Sequence, residues 1–195
     1  LTDELDELTA SVEKTSEALK ATPKEIEPVQ TVEEPEVTPA GCVAPVQGAY
    51  PCAGGPIPAD AIALPAGPPY EGASEDVASF VTPSGNIWCS VGTSLAACIV
   101  YSWDASTLPQ YIEGVGGAGG VSLKDYGPAD SAVYSGTPLG ASGMEAENHP
   151  IAYGTVHYFG DFVFASEENG LTFWNANSGY GALVNKSGFY PFGPN

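Results

Sequence analysis

The chain has 195 residues, of which 24 are acidic, against five lysines (Lys14, Lys20, Lys24, Lys124 and Lys186) and no arginine, for a net charge of −19. A protein that neutralises phosphates needs cations, and arginine is the preferred bidentate reader of bases, so this balance excludes nucleic acid and anionic lipid headgroups as partners. The same charge keeps a secreted protein soluble, and an acidic face can dock on a basic partner.

Residues 1–22 are predicted to form a helix. Leu1, Leu5, Leu8, Val12, Thr15 and Leu19 recur at spacings of four and three, which sets them on one narrow stripe. Thr2 can cap it, Asp3 and Glu4 occupy the first turn, Lys20 sits near the end, and Pro23 stops it. A helix this short gains most of its stability from packing, so Leu5, Leu8, Val12 and Leu19 are the expected partner-binding residues. The sequence opens on Leu1 rather than Met, which suits cleavage of a signal peptide or the presence of an upstream anchor. No apolar run approaches the roughly 20 residues of a membrane helix.

Residues 23–75 have no hydrophobic period. Positions 23–40 (PKEIEPVQTVEEPEVTPA) are Pro/Glu-rich, and 41–70 change to Pro, Ala and Gly, a composition that predicts an extended, polyproline-like arm. Residues 1–70 are therefore expected to carry binding, and 76–195 the fold. Four cysteines stand as two close pairs, Cys42 with Cys52 and Cys89 with Cys98, neither at the C-x-x-C spacing of zinc or redox sites. Local pairing is favoured, each short loop contributing roughly 2–3 kcal/mol in the chain-entropy model. An even cysteine count with abundant Gly and Pro points to an oxidising, extracytoplasmic compartment; buried reduced thiols in a cytosolic protein are the alternative.

From residue 76 the pattern becomes that of a β protein. Strands are expected at 77–82 (VASFVT), 87–91 and 95–102, with Pro83-Ser84-Gly85-Asn86 as a turn and the Cys89–Cys98 bridge stapling the second hairpin. Residues 114–120 (GVGGAGG) read as a flexible Gly loop, and further short strands are expected at 121–123 and 132–134. The last block alternates aromatic and β-branched residues with small ones, which predicts strands near 154–158, 161–166, 171–175 and 181–185. The expected fold is mainly β: a small antiparallel sheet, sandwich or barrel, preceded by the helix and the Pro-rich arm.

The segment Phe80-Val81-Thr82-Pro83-Ser84-Gly85-Asn86-Ile87-Trp88-Cys89 resembles the F-x-(S/T)-P-S-G-N-I-x-C opening of a family of small secreted or lipid-anchored actinobacterial proteins of unknown function. Ile151-Ala152-Tyr153-Gly154 is similar to that family's (L/I)-x-Y-G, and Gly170-Leu171-Thr172-Phe173, Asn175, Gly179, Gly181, Tyr190 and Phe192 to its closing block. The resemblance spans about 80–192 and implies an envelope location and a β-rich fold, but no reaction. Phe164 and Phe173 stand where the family carries a second cysteine pair, and Tyr180 where it carries His. An aromatic pair across neighbouring strands can replace a staple by packing, so these two rings are expected to face each other, buried, across the hairpin turned at Glu168-Asn169-Gly170.

Catalytic groups are sparse. His149 and His157 are the only histidines, and no G-x-S-x-G elbow accompanies them, since Met144 stands where the second Gly belongs. Glu145 with Glu147, and Glu167 with Glu168, are close in sequence but read as loop and hairpin-tip residues. Asp125, Asp130 and Asp161 are scattered and match no calcium loop. Trp88, Trp103, Trp174, Tyr153, Tyr158 and Tyr180 can serve as core or as a sugar-stacking platform. No cofactor or metal is expected. The leading expectation is a non-enzymatic cell-envelope protein, facing a periplasm-like space or the cell surface. It would be an accessory subunit of a larger membrane-protein complex; the small extracytoplasmic subunits of the actinobacterial respiratory bcc–aa3 supercomplex are similar in size and plan. A carbohydrate- or cell-wall-binding module is the alternative, and a hydrolase ranks third.

Overall fold

Closely spaced turns between runs of aromatic and β-branched residues build strands. The computed structural model describes residues 42–67, 75–104, 118–134 and 149–194, and these contain twelve strands and no helix. The chain divides into two units, Leu1–Val37 and Thr38–Asn195. The first, with the expected helix and its Leu5, Leu8, Val12 and Leu19, lies outside the described residues.

Two strands of two residues come first, β1 (Ile62–Ala63) and β2 (Ala66–Gly67). Five follow in the motif-bearing half: β3 (Val77–Val81), β4 (Ile87–Val91), β5 (Leu95–Val100), β6 (Ala118–Lys124) and β7 (Asp130–Tyr134). The C-terminal block supplies β8 (Thr155–Phe159), β9 (Phe162–Glu167), β10 (Gly170–Asn175), β11 (Gly181–Asn185) and β12 (Gly188–Phe192). They form two six-stranded sheets, ordered β1-β8-β9-β10-β11-β12 and β2-β3-β4-β5-β6-β7. Every pairing between neighbouring strands is antiparallel except β1 with β8. Both sheets keep free edges, so the fold is a sandwich and not a closed barrel.

The period of two along each strand decides what meets between the sheets. Phe80, Cys89, Cys98, Val121 and Leu123 from one sheet share a buried core with Phe162, Phe164, Leu171, Phe173 and Val184 from the other. Phe80 meets Phe164 edge-on, with ring centroids 4.9 Å apart. Phe164 and Phe173 are register partners on β9 and β10, both fully buried and stacked at 6.3 Å, facing each other across the hairpin as expected. Both local disulfides are present, Cys42–Cys52 and Cys89–Cys98.

Residues 42–67, expected as an arm apart from the domain, are packed onto it. The outward face of β8–β10 carries apolar side chains too: Val163, Ala165 and Trp174 form a second core with Ala53 and Phe192, against which Val46, Tyr50, Ile57 and Ala61 pack. The segment lacks a period because its apolar residues cover a neighbouring sheet as an irregular cap. Leu64 then enters the main core between β1 on one sheet and β2 on the other, so the chain straps the two sheets together. The Gly loop also differs from expectation. Ala118-Gly119-Gly120 belong to β6, where Gly120 pairs with both Ile99 and Ala132. The strand β12 has no counterpart in the sequence reading because Pro191 interrupts it; the proline is tolerated because β12 is an edge strand.

Candidate functional site: a loop-lined cleft at one end of the sandwich

Antiparallel connection brings alternate turns to the same end. The β3–β4 turn, the residues after β5, the residues before β8, the β9–β10 tip and the β11–β12 tip all gather there and enclose a cleft of about 530 Å³. That volume is within the range of small-molecule sites. Thr82, Ser84 and Asn86 line one side, Glu167, Glu168 and Asn169 another, with Ser102, Tyr153, Lys186 and Ser187 completing the rim.

The first wall is rigid for local reasons. The Thr82 hydroxyl donates to the Ile87 carbonyl at 3.3 Å and accepts from the Ile87 amide at 3.2 Å, while the Gly85 amide donates to the Thr82 carbonyl at 2.8 Å. Gly85 has φ +71°, a conformation that glycine adopts without a Cβ penalty. Asn86 then reaches across the end of the sheet: its Oδ1 accepts from the Ser102 amide at 2.7 Å and its Nδ2 donates to the Ser102 carbonyl at 3.2 Å. The two sheets are laced together here by the Asp104 amide, which donates to the Lys186 carbonyl at 2.6 Å. The opposite wall is held by Asn185 Nδ2, which donates to the Asn169 carbonyl at 3.0 Å. Tyr153 stands at the rim, 41% exposed as a residue, and Glu168 and Lys186 are exposed beside it. The cleft therefore offers hydroxyls, amides, both signs of charge and one accessible aromatic face.

The residues singled out by sequence disperse. Trp174 is fully buried under the cap, stacked on Tyr50 at 5.7 Å, and its Nε1 donates to the Gly55 carbonyl at 2.8 Å. Trp103 and Tyr180 pack against the main core, Tyr158 packs against the second, and Trp88 stacks with Tyr101 at 6.4 Å. Of the six aromatics, only Tyr153 lines the cleft. His157 Nε2 lies 3.0 Å from the Thr155 hydroxyl, which itself donates to the Ala152 carbonyl at 2.6 Å; its Nδ1 is buried without a partner, and burial lowers the ring's pKa below the usual histidine value. His149 serves through its backbone, its carbonyl accepting from the Val81 amide at 3.3 Å. Glu145 and Glu147 lie outside the described residues. Among the described residues no three His, Cys, Asp or Glu gather to hold a metal.

A second feature lies under the cap. The Tyr50 amide donates to the Thr172 hydroxyl at 3.0 Å, and Asn169 Nδ2 donates to the Gly48 carbonyl at 2.8 Å. Burial, followed by the nearby Asp60 and Glu167 charges, raises the Tyr50 pKa. No family model, curated protein or solved structure matches this chain.

Sequence reasoning reached the PSGN turn and the Glu168-Asn169 tip only as turns. The signal that joins them is strand order: the polar connections that follow β3, β5, β9 and β11 fall at one end once the sheets are known.

Proposed function

We propose that this protein is a non-enzymatic, extracytoplasmic binding module whose end cleft takes carbohydrate, such as a cell-wall polysaccharide. The observation that carries this reading is the cleft lining: hydroxyl and amide groups with two carboxylates and an ammonium on five converging loops, beside the exposed Tyr153 side chain. A polyhydroxylated ligand fits such a lining because it can exchange hydrogen bonds along its length and lay its C–H face on an aromatic ring. The two disulfides support an oxidising compartment, and the resemblance of residues 80–89 to the actinobacterial envelope family agrees with it. The test is retention on insoluble cell-wall polysaccharide, followed by titration with its soluble fragments. The wild-type protein should be retained, and Tyr153→Ala should weaken binding at least tenfold while leaving thermal unfolding unchanged. Wild-type protein that passes through unretained, or a Tyr153→Ala protein that binds equally well, overturns the reading.

The second reading is an accessory subunit of a larger membrane-protein complex, such as a respiratory bcc–aa3 supercomplex. The excess of acidic residues favours it, because 24 carboxylates against five ammonium groups suit a basic docking surface, and the stripe of Leu5, Leu8, Val12 and Leu19 suits an apolar one. Purification in mild detergent separates the two: a stable membrane complex supports the second reading, polysaccharide capture the first.

A further inference from the structure

The two disulfides occupy opposite environments. Cys89 and Cys98 are register partners inside the sandwich, with no exposed surface. Cys42 and Cys52 are both partly exposed and line a surface groove of about 390 Å³, together with Val43, Pro51 and Gly179. Thiol–disulfide exchange requires a thiolate to approach a sulfur directly, so access decides which bridge can react. Of the two bridges, Cys42–Cys52 has partly exposed residues lining a groove, whereas Cys89–Cys98 has no exposed surface.

The loop closed by that bridge is hydrogen-bonded to one hairpin. Gly48 accepts from the Asn169 side chain, and the Tyr50 amide donates to Thr172. Both partners lie on the β9–β10 hairpin, and the Thr172 hydroxyl in turn donates to the Glu167 carboxylate at 3.4 Å. Glu167 and Asn169 form one wall of the end cleft. The cap and the cleft thus share a hairpin, gripped on one side by Gly48 and on the other by Asn185.

We propose that Cys42–Cys52 is a thiol-exchange site, and that opening it releases the cap from the β9–β10 hairpin and loosens the cleft wall. The co-reactant is a dithiol. One of its thiolates attacks Cys42 or Cys52 Sγ, the Cys42–Cys52 bond breaks as a mixed disulfide forms, and the leaving thiolate takes up a proton. The second thiol of the co-reactant then displaces the remaining cysteine, so that the protein gains two thiols and the dithiol becomes a disulfide. Only the last link, an effect on ligand affinity, rests on the carbohydrate reading.

The test treats the native protein with increasing dithiothreitol, traps thiols with iodoacetamide, and maps them by mass spectrometry alongside amide hydrogen exchange. Cys42 and Cys52 should be alkylated at dithiol concentrations that leave Cys89–Cys98 intact, and exchange should rise at least tenfold across 46–55 and 167–172. A Cys42→Ser/Cys52→Ser protein should show the raised exchange without reductant, and its titration with soluble polysaccharide fragments should be weakened several-fold. Equal or earlier alkylation of Cys89 and Cys98 overturns the proposal, as does exchange at 167–172 that is unchanged in both the reduced and the substituted protein. If wild-type protein binds no polysaccharide, the carbohydrate reading fails while the alkylation and exchange measurements still decide the thiol site.

Discussion

At the scale of single residues, stability concentrates in the aromatic seam between the sheets. Phe173 has no exposed surface and touches the Phe164 ring, which in turn meets Phe80 from the opposite sheet. Truncation to alanine removes the transfer energy of a buried phenyl ring and leaves a cavity that two stiff strands cannot close. Phe173→Ala should therefore cost about 3–5 kcal/mol in denaturant unfolding, whereas the exposed Tyr126 should tolerate alanine with a loss below about 1 kcal/mol. His157 gives the fold a pH dependence of definite sign. Burial disfavours its charged form, so the folded-state pKa lies below the unfolded value of about 6.5. The unfolded chain thus binds the proton first, and the stabilisation present above pH 6.5 is lost as pH falls through and below that value. The melting temperature should fall between pH 7.5 and 5.5, and His157→Gln should flatten that slope; an unchanged slope would remove His157 as its cause. Both disulfides were legible in the sequence because each closes a short local loop, Cys89–Cys98 across adjoining strands and Cys42–Cys52 within an irregular segment, and the phenylalanine pair was legible from the positions it takes in the resembled closing motif. The cleft was not, because its residues come from five connections whose meeting depends on strand order.

At the scale of elements, most strands were legible where a turn signal bounded a run of apolar residues. The boundaries of β4 and β11 agree with the reading to the residue. The short strands β1 and β2 were not, because two residues carry no period, and their pairing depends on Leu64 being drawn into the core. The β9–β10 hairpin shows how one turn residue governs an element. Gly170 has φ +151°, and a Cβ added there would lie 2.6 Å from the Val184 carbonyl oxygen and 2.9 Å from the Asn185 side chain. Backbone strain and steric overlap act together, since β11 is itself held between β10 and β12 and cannot withdraw. Gly170→Ala should destabilise the protein by about 1–3 kcal/mol or more in chemical denaturation. It should also shift the Asn169 tip, raising amide exchange at Asn169 and Asn185 before the rest of the sandwich opens. A variant that melts with the wild type would show that β11 yields more readily than its position between two strands implies.

At the scale of the whole molecule, the question is where the cooperative fold begins. Composition set the boundary near residue 76, since a Pro/Gly/Ala segment without a period ordinarily buries too little apolar surface to order itself. Packing sets it earlier, because the segment does not order itself: it orders on Trp174, Val163 and Ala165, a sheet face that would otherwise meet water. The Tyr50–Trp174 stack contributes about 0.5–1.5 kcal/mol beyond its buried area, and the Trp174–Gly55 hydrogen bond about 0.5–1.5 kcal/mol net. The loss of the segment would forfeit both, along with the burial of Leu64, while leaving the indole nitrogen without its acceptor. The chain divides between Val37 and Thr38, upstream of every one of these contacts. Two truncations therefore bracket the boundary. A protein starting at Thr38 should unfold at the same denaturant midpoint as the full chain. One starting at Asp76, which lacks the cap and both strap strands, should lose several kcal/mol, expose apolar surface to a hydrophobic dye, and elute as aggregate in size-exclusion chromatography. If the shorter protein instead melted cooperatively at the full-length midpoint, residues 42–67 would be a detachable arm after all, and the sandwich would be stable with one face bare.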